Sequence, residues 1–80
     1  MEFIIGKAKR LYMKKIGQFK EYKGYVGSIE YDEEDELYYG KLLFIEDFIN
    51  YHASNVLELE RHYHEAVDDY IEFKKEIGKE

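Results

Sequence analysis

The sequence predicts an α+β domain, an antiparallel three-stranded meander packed against one long C-terminal helix. Three observations carry that prediction. Two segments rich in tyrosine and β-branched residues, 22–31 and 37–45, flank the acidic run Asp32-Glu33-Glu34-Asp35-Glu36. Apolar residues then recur at Val56, Leu59, Tyr63, Ala66, Tyr70, Phe73 and Ile77, spaced alternately by three and four. At 80 residues the chain has room for one economical core, because independent domains run to roughly 50–200 residues.

Each element follows in chain order. Ile4, Ile5, Ala8, Leu11, Tyr12, Ile16 and Phe19 have a helical rhythm, with lysines on the opposite side. Residues 1–20 therefore read as a basic N-terminal extension, helical or strand-like, ahead of a domain spanning 21–80. Gly6 and Gly17 weaken the helical option by about 1 kcal/mol each relative to alanine. Met13 is an alternative start. Residues 22–31 read as the first strand and 37–45 as the second. Five like charges between them repel one another, so the predicted hairpin tip is solvated. Residues 48–53 form a third strand, entered through the Glu46-Asp47 turn. Gly24, Gly27 and Gly40 within these strands mark bulges or close backbone approach.

The helix has start and stop signals of its own. Asn55 suits the N-cap, and Glu58 three residues later completes a capping-box pattern. Lys74 and Lys75 complement the C-terminal dipole, and Gly78 ends the helix. Short connections then carry the helix across one face of the sheet.

Composition removes several classes. Hydrophobic residues make up 45% of the chain and aromatics 18%, too apolar for a disordered polymer. Proline and cysteine are absent, which excludes a Pro-rich ligand, a disulfide scaffold and thiolate zinc. The early apolar run Phe3-Ile4-Ile5 is far shorter than a signal-peptide core, and nothing approaches the ~20 residues of a membrane span. The expectation is a cytoplasmic protein that does not enter the membrane. Net charge is −6, unevenly spread: residues 1–23 hold seven basic side chains against Glu2 and Glu21, and the rest holds five against sixteen acidic ones. The acidic body repels a phosphate backbone and suits a basic partner.

The search for catalytic or metal chemistry is less productive. There is no phosphate loop, no nucleophile elbow and no Ser/His/Asp spacing. His62 and His64 lie roughly 200° apart on the helix and cannot chelate one ion together. His64 and Asp68 share a face, but a third ligand is missing. His52 is a lone strand histidine. Glu30 or Asp32 with Glu65, Asp68 or Asp69 could in principle compose a two-metal nuclease site. With eighteen acidic residues in the chain, accidental pairs of that kind are expected, and a solvated face is the better reading. Nine tyrosines are the stronger signal, since half-exposed tyrosine is enriched at interfaces, although strands also favour it.

Two segments add a family resemblance. Tyr22-Lys23-Gly24-Tyr25-Val26-Gly27-Ser28-Ile29-Glu30-Tyr31, followed by the acidic tip and Tyr39-Gly40-Lys41, resembles the opening hairpin of HicB-family antitoxins. His64-Glu65-Ala66-Val67-Asp68-Asp69-Tyr70-Ile71-Glu72, running on to Glu76-Ile77-Gly78-Lys79-Glu80, resembles that family's helix. Together they cover residues 22–80, while residues 1–20 and the apolar turn Leu43-Phe44-Ile45-Glu46-Asp47 depart from the pattern. The resemblance implies a partial RNase H-like fold without the nuclease's metal centre. It also implies direct binding to a small basic HicA-like toxin that cleaves mRNA, with no cofactor and no catalysis. Many members add a C-terminal DNA-binding domain. The sequence ends where one would begin, so DNA binding by this chain is not expected.

The toxin-facing surface is expected at Asp32, Glu33, Glu34, Asp35 and Glu36, with Tyr38 nearby. Leu59, Tyr63, Ala66, Tyr70 and Phe73 are expected in the core. A homodimer through unpaired sheet edges or the N-terminal segment is compatible with this reading. The alternatives from other classes are the metal-dependent nuclease and a nucleic-acid or membrane module acting through residues 1–20.

Overall fold

The computed structural model describes residues 13–78, and the first twelve positions of the basic extension lie outside them. Four strands, β1 (Met13–Gln18), β2 (Ser28–Asp32), β3 (Leu37–Lys41) and β4 (Asn50–Ala53), precede one helix, α1 (Val56–Gly78). The sheet runs in the order β1-β2-β3-β4 with every neighbouring pair antiparallel. The α+β meander with its C-terminal helix is therefore present, with four strands instead of three.

The additional strand comes from the basic segment. Residues 13–18 pair with β2 and do not form the helix that their apolar rhythm suggests. A helix of that length is marginal alone, whereas β2 offers a ready ladder. The register slips between Lys15 and Gly17, and Ile16 at the slip stays about half exposed (55%). The predicted strand 22–31 is also broken. Tyr22 and Tyr25 exchange backbone hydrogen bonds of 2.8 and 2.9 Å around Lys23 and Gly24, whose φ values are 52° and 87°. Two consecutive left-handed residues make the tight turn that matches strand twist, so β1 and β2 are the arms of one hairpin. β3 stops at Lys41, short of Ile45. Leu42 then bonds back to the Ile49 carbonyl at 2.9 Å, and Leu43 to the Val26 carbonyl at 2.9 Å.

Alternation along the strands sorts the two faces. Tyr51 and Ala53 are buried under α1, while Asn50 and His52 between them are exposed. Tyr63 occupies the centre with no exposed surface. Its ring lies 5.2 Å from Phe19, 5.8 Å from Tyr51 and 6.2 Å from Tyr22. Its hydroxyl donates to the Tyr25 carbonyl at 2.6 Å, with the Lys20 carbonyl also near at 3.1 Å. Burial pushes the Tyr63 phenol up from its ordinary value, and Tyr51 is pushed up for the same reason. The Tyr51 hydroxyl donates to the Ser28 carbonyl at 3.0 Å. These rings approach glycine closely. A Cβ at Gly40 would overlap the Tyr51 ring and the Ser28 carbonyl oxygen, and one at Gly27 would meet the Tyr51 hydroxyl and the Tyr63 ring. The strand glycines thus mark close approach, an aromatic side chain laid over a bare backbone.

The helix starts as its sequence signals. The Asn55 Oδ1 accepts the Glu58 N–H at 2.8 Å. Its buried residues are Leu59, Tyr63, Val67 and Tyr70. Val67 replaces Ala66 as the buried neighbour, and Phe73 and Ile77 are half exposed at 51% and 50%. Phe73 is therefore not a core residue. The cause is length: 23 helical residues reach about 35 Å, whereas four to six strand residues reach about 13–20 Å. The last two turns overhang the sheet.

Leu59→Ala should accordingly destabilise the fold by about 2–5 kcal/mol, against about 1 kcal/mol or less for Phe73→Ala. Gly40→Ala should cost about 1–3 kcal/mol through overpacking. Urea unfolding at equilibrium measures all three.

Candidate functional site

The acidic run divides into one buried residue and four exposed ones. Asp32 ends β2, is 0% exposed and does not belong to the tip surface where its sequence neighbours suggest it lies. Its Oδ1 accepts the Glu34 N–H at 2.9 Å and the Asp35 N–H at 3.3 Å, and its carbonyl accepts the Glu36 N–H at 2.7 Å. A short carboxylate can satisfy turn amides that no strand partner reaches, which is why aspartate suits this position. Glu36 closes the turn in the left-handed region, at φ 56°. Glu33, Glu34, Asp35 and Glu36 are all exposed at the end of the β2–β3 hairpin.

The tip is tied at its base to neighbouring strands. Lys14 of β1 pairs with Glu33 at 2.5 Å, and the Glu33 carboxylate raises the Lys14 ammonium above its ordinary value. The Tyr39 hydroxyl donates to the Asp35 Oδ2 at 3.4 Å. Tyr38 is different. It pairs across the sheet with buried Ala53, packs against the core and has its ring 4.8 Å from Tyr31. The tyrosine on the face away from the helix is Tyr39, opposite His52, the two rings 5.8 Å apart. Strand alternation alone would distinguish Tyr38 from Tyr39 once one neighbour's direction is known, but the sequence shows no such neighbour.

That open face carries Glu30, Tyr39, Lys41 and Asn50, which with Gly40 and Phe48 line a shallow depression. The Ser28 hydroxyl donates to the Glu30 Oε2 at 3.2 Å and accepts the Lys41 N–H at 3.0 Å. The carboxylates weighed as a strand-and-helix metal pair are not brought together. Glu30 lines the face away from α1, Glu65 pairs with Arg61 at 3.0 Å, and Asp68 is engaged by the first hairpin. Among the described residues no three His, Asp or Glu side chains converge as a metal centre needs. His62 bonds the His52 carbonyl through Nδ1 at 2.8 Å, and His64 stacks on Tyr22 at 3.9 Å. Among the described residues no helix is long and apolar enough to cross a membrane.

Asp68 joins helix to hairpin. It accepts from the Tyr22 hydroxyl at 3.2 Å and from the Lys23 Nζ at 2.9 Å. The Lys23 hydrogen bond is the largest influence holding the Asp68 carboxyl below its ordinary value of 3.8. Both side chains are about half exposed, so solvent screening keeps the effect modest. A carboxyl with a lowered folded-state value stabilises above its unfolded value, and the contribution disappears as pH falls through the folded one. Asp68→Asn should therefore lower the melting temperature at neutral pH, with the gap to the native protein closing in thermal melts as pH falls below the ordinary carboxyl value of 3.8.

No protein-family model matches this chain, and no curated protein and no solved structure is significantly similar to it.

Proposed function

We propose that this chain is a non-catalytic, antitoxin-type binding domain of the cytoplasm, which neutralises a small basic HicA-like RNA-cleaving protein by docking against it. The observation that carries the reading is the hairpin tip. Four consecutive carboxylate residues stand exposed on a turn whose amides are held by buried Asp32. A cluster of fixed negative charge on a small acidic body offers a phosphate-like surface to a protein that binds RNA, and long-range attraction speeds the encounter. The open sheet face beside the tip supplies Tyr39 and His52 as aromatic contact area at low entropy cost. The likeness of residues 22–31 and 64–72 to HicB segments supports the same conclusion. Within this reading Glu33, Glu34, Asp35 and Glu36 make the charged contact, Tyr39 takes the place expected for Tyr38, and Asp32 orders the turn from beneath.

The test combines binding with toxicity rescue, using a small basic HicA-like RNA-cutting protein. Glu33→Lys, Glu34→Lys and Asp35→Lys together should slow association by about tenfold or more at low salt, with the deficit shrinking as salt rises. The native chain should restore growth to cells making the toxin, and the triple variant should do so poorly. Unchanged association kinetics would overturn the reading. So would divalent-metal-dependent RNA cleavage by the purified chain that is lost on Glu30→Gln.

A further inference from the structure

We propose that the edge where the C-terminal half of α1 passes over the start of β4 is a docking groove for a basic amphipathic helix of another protein. This inference stands apart from the acidic tip, which lies at the other end of β3. Ile49, Asn50, Ala66, Asp69, Tyr70 and Phe73 line an apolar depression at that place. Phe73 and Ile77, half exposed on the overhanging turns, continue its wall beyond the sheet. An apolar helical stripe that its own sheet leaves uncovered is the receiving half of helix-in-groove recognition.

Charge identifies the occupant. Ala66, Tyr70, Phe73 and Ile77 recur at spacings of four, three and four, and Glu65, Asp69, Glu72 and Glu76 recur at the same spacings one position earlier. One step along a helix turns it by about 100°, so the carboxylates form a row beside the apolar stripe along its whole length. All four are exposed. Glu65 pairs with Arg61 at 3.0 Å, and the other three have no ion pair among the described residues. The row lies on the β4 side of the stripe. Asp69 lines the depression with Ile49 and Asn50, and His62, two turns earlier, bonds the His52 carbonyl of β4. Asp47, which accepts from the Tyr70 hydroxyl at 2.8 Å, adds a carboxylate just ahead of β4. Lys74 falls on the opposite flank of the stripe, its Nζ over the Tyr70 ring at 5.6 Å.

An occupant must bring apolar side chains to the stripe and positive charge to the row. A helix with Lys or Arg at three- and four-residue spacing along one border of its own apolar stripe does both, because its charges then rise in step with the carboxylates. From Glu65 to Glu76 the row spans about 16 Å, three turns of such a helix. A second copy of this chain would bring the same acidic row into the groove, and a nucleic acid or an anionic membrane would bring phosphate. All three are repelled. An added strand is disfavoured as well, since β4 has 4 residues and its His52 carbonyl is already bonded by His62.

The probe is a synthetic amphipathic helix of leucine and lysine, about 18 residues long, titrated into the full chain at about 0.15 M salt. It should bind with Kd of about 1–100 μM and shift the amide resonances of Ile49, Ala66, Phe73 and Ile77. A peptide of the same composition, scrambled so that no apolar stripe forms, should bind about tenfold more weakly or worse. Phe73→Ser, at an exposed position, should weaken the lysine peptide by about tenfold with helical circular dichroism unchanged. Asp69→Lys with Glu72→Lys should weaken it as much and create binding for a counterpart peptide with glutamate in place of lysine. The triple reversal at the tip should change the affinity by less than about threefold, because salt screens charges more than about 8 Å away. The proposal is overturned by no binding to the native chain, by equal binding of the scrambled peptide, or by indifference to Phe73→Ser. It is equally overturned if the helix charge reversal does not exchange the preference, or if reversal of the tip abolishes binding.

Discussion

Tyr63 joins three parts of the molecule in one aromatic cluster. Its ring is enclosed by Phe19 from the end of β1, by Tyr22 from the first turn and by Tyr51 from β4. Its hydroxyl donates into the same hairpin, to the Tyr25 carbonyl. A buried phenol needs both a well-packed ring and a hydrogen-bond acceptor, and this arrangement supplies both. Room for it comes from Gly27, where any side chain would meet the ring, and from Gly40, where the neighbouring Tyr51 lies on bare backbone. In a chain this small, one core must anchor the helix, and it does so by placing large aromatic rings against the absence of side chains.

That packing uses one face of the sheet, and no described element covers the other. The uncovered side, with Glu30, Tyr39 and His52, belongs to the molecule's surface, as does the hairpin tip beyond it. Charge is partitioned along the same axis. The carboxylates concentrate where β2 turns into β3, and the charge-free stretch begins at the opposite end of the strands, where β4 starts.

The clamp at Asp68 links these features to the helix. Tyr22 stacks on His64 and donates to Asp68, while Lys23 reaches the same carboxylate. The lysine of the first turn thus serves the fold. One of the seven basic residues in the first 23 is thus paired with a helix carboxylate.

Much of the architecture was legible before any coordinate was known. The 3-4 spacing from Val56 located α1, Asn55 marked its start, and the acidic run marked the second hairpin, because periodicity, capping and like-charge repulsion are local properties. The errors are equally physical. Residues 13–18 have a helix-like rhythm yet become β1, since β2 needs a hydrogen-bonded partner and local propensity is weak by comparison. Phe73 fits the apolar stripe but overhangs a sheet too short to cover it. Asp32 and Glu33 are adjacent and alike in charge, yet one is wholly buried and the other exposed.

Chain chemistry alone determined the class of the domain, the extent of its helix and the sign of its exposed tip, all of which depend on residues close together in the sequence. Which tyrosine looks outward, which carboxylate is enclosed and which sheet edge stays open were decided by the tertiary structure. Those outcomes depend on strand register and on where the helix ends relative to the sheet, and register is a relation between distant segments that neither segment encodes by itself.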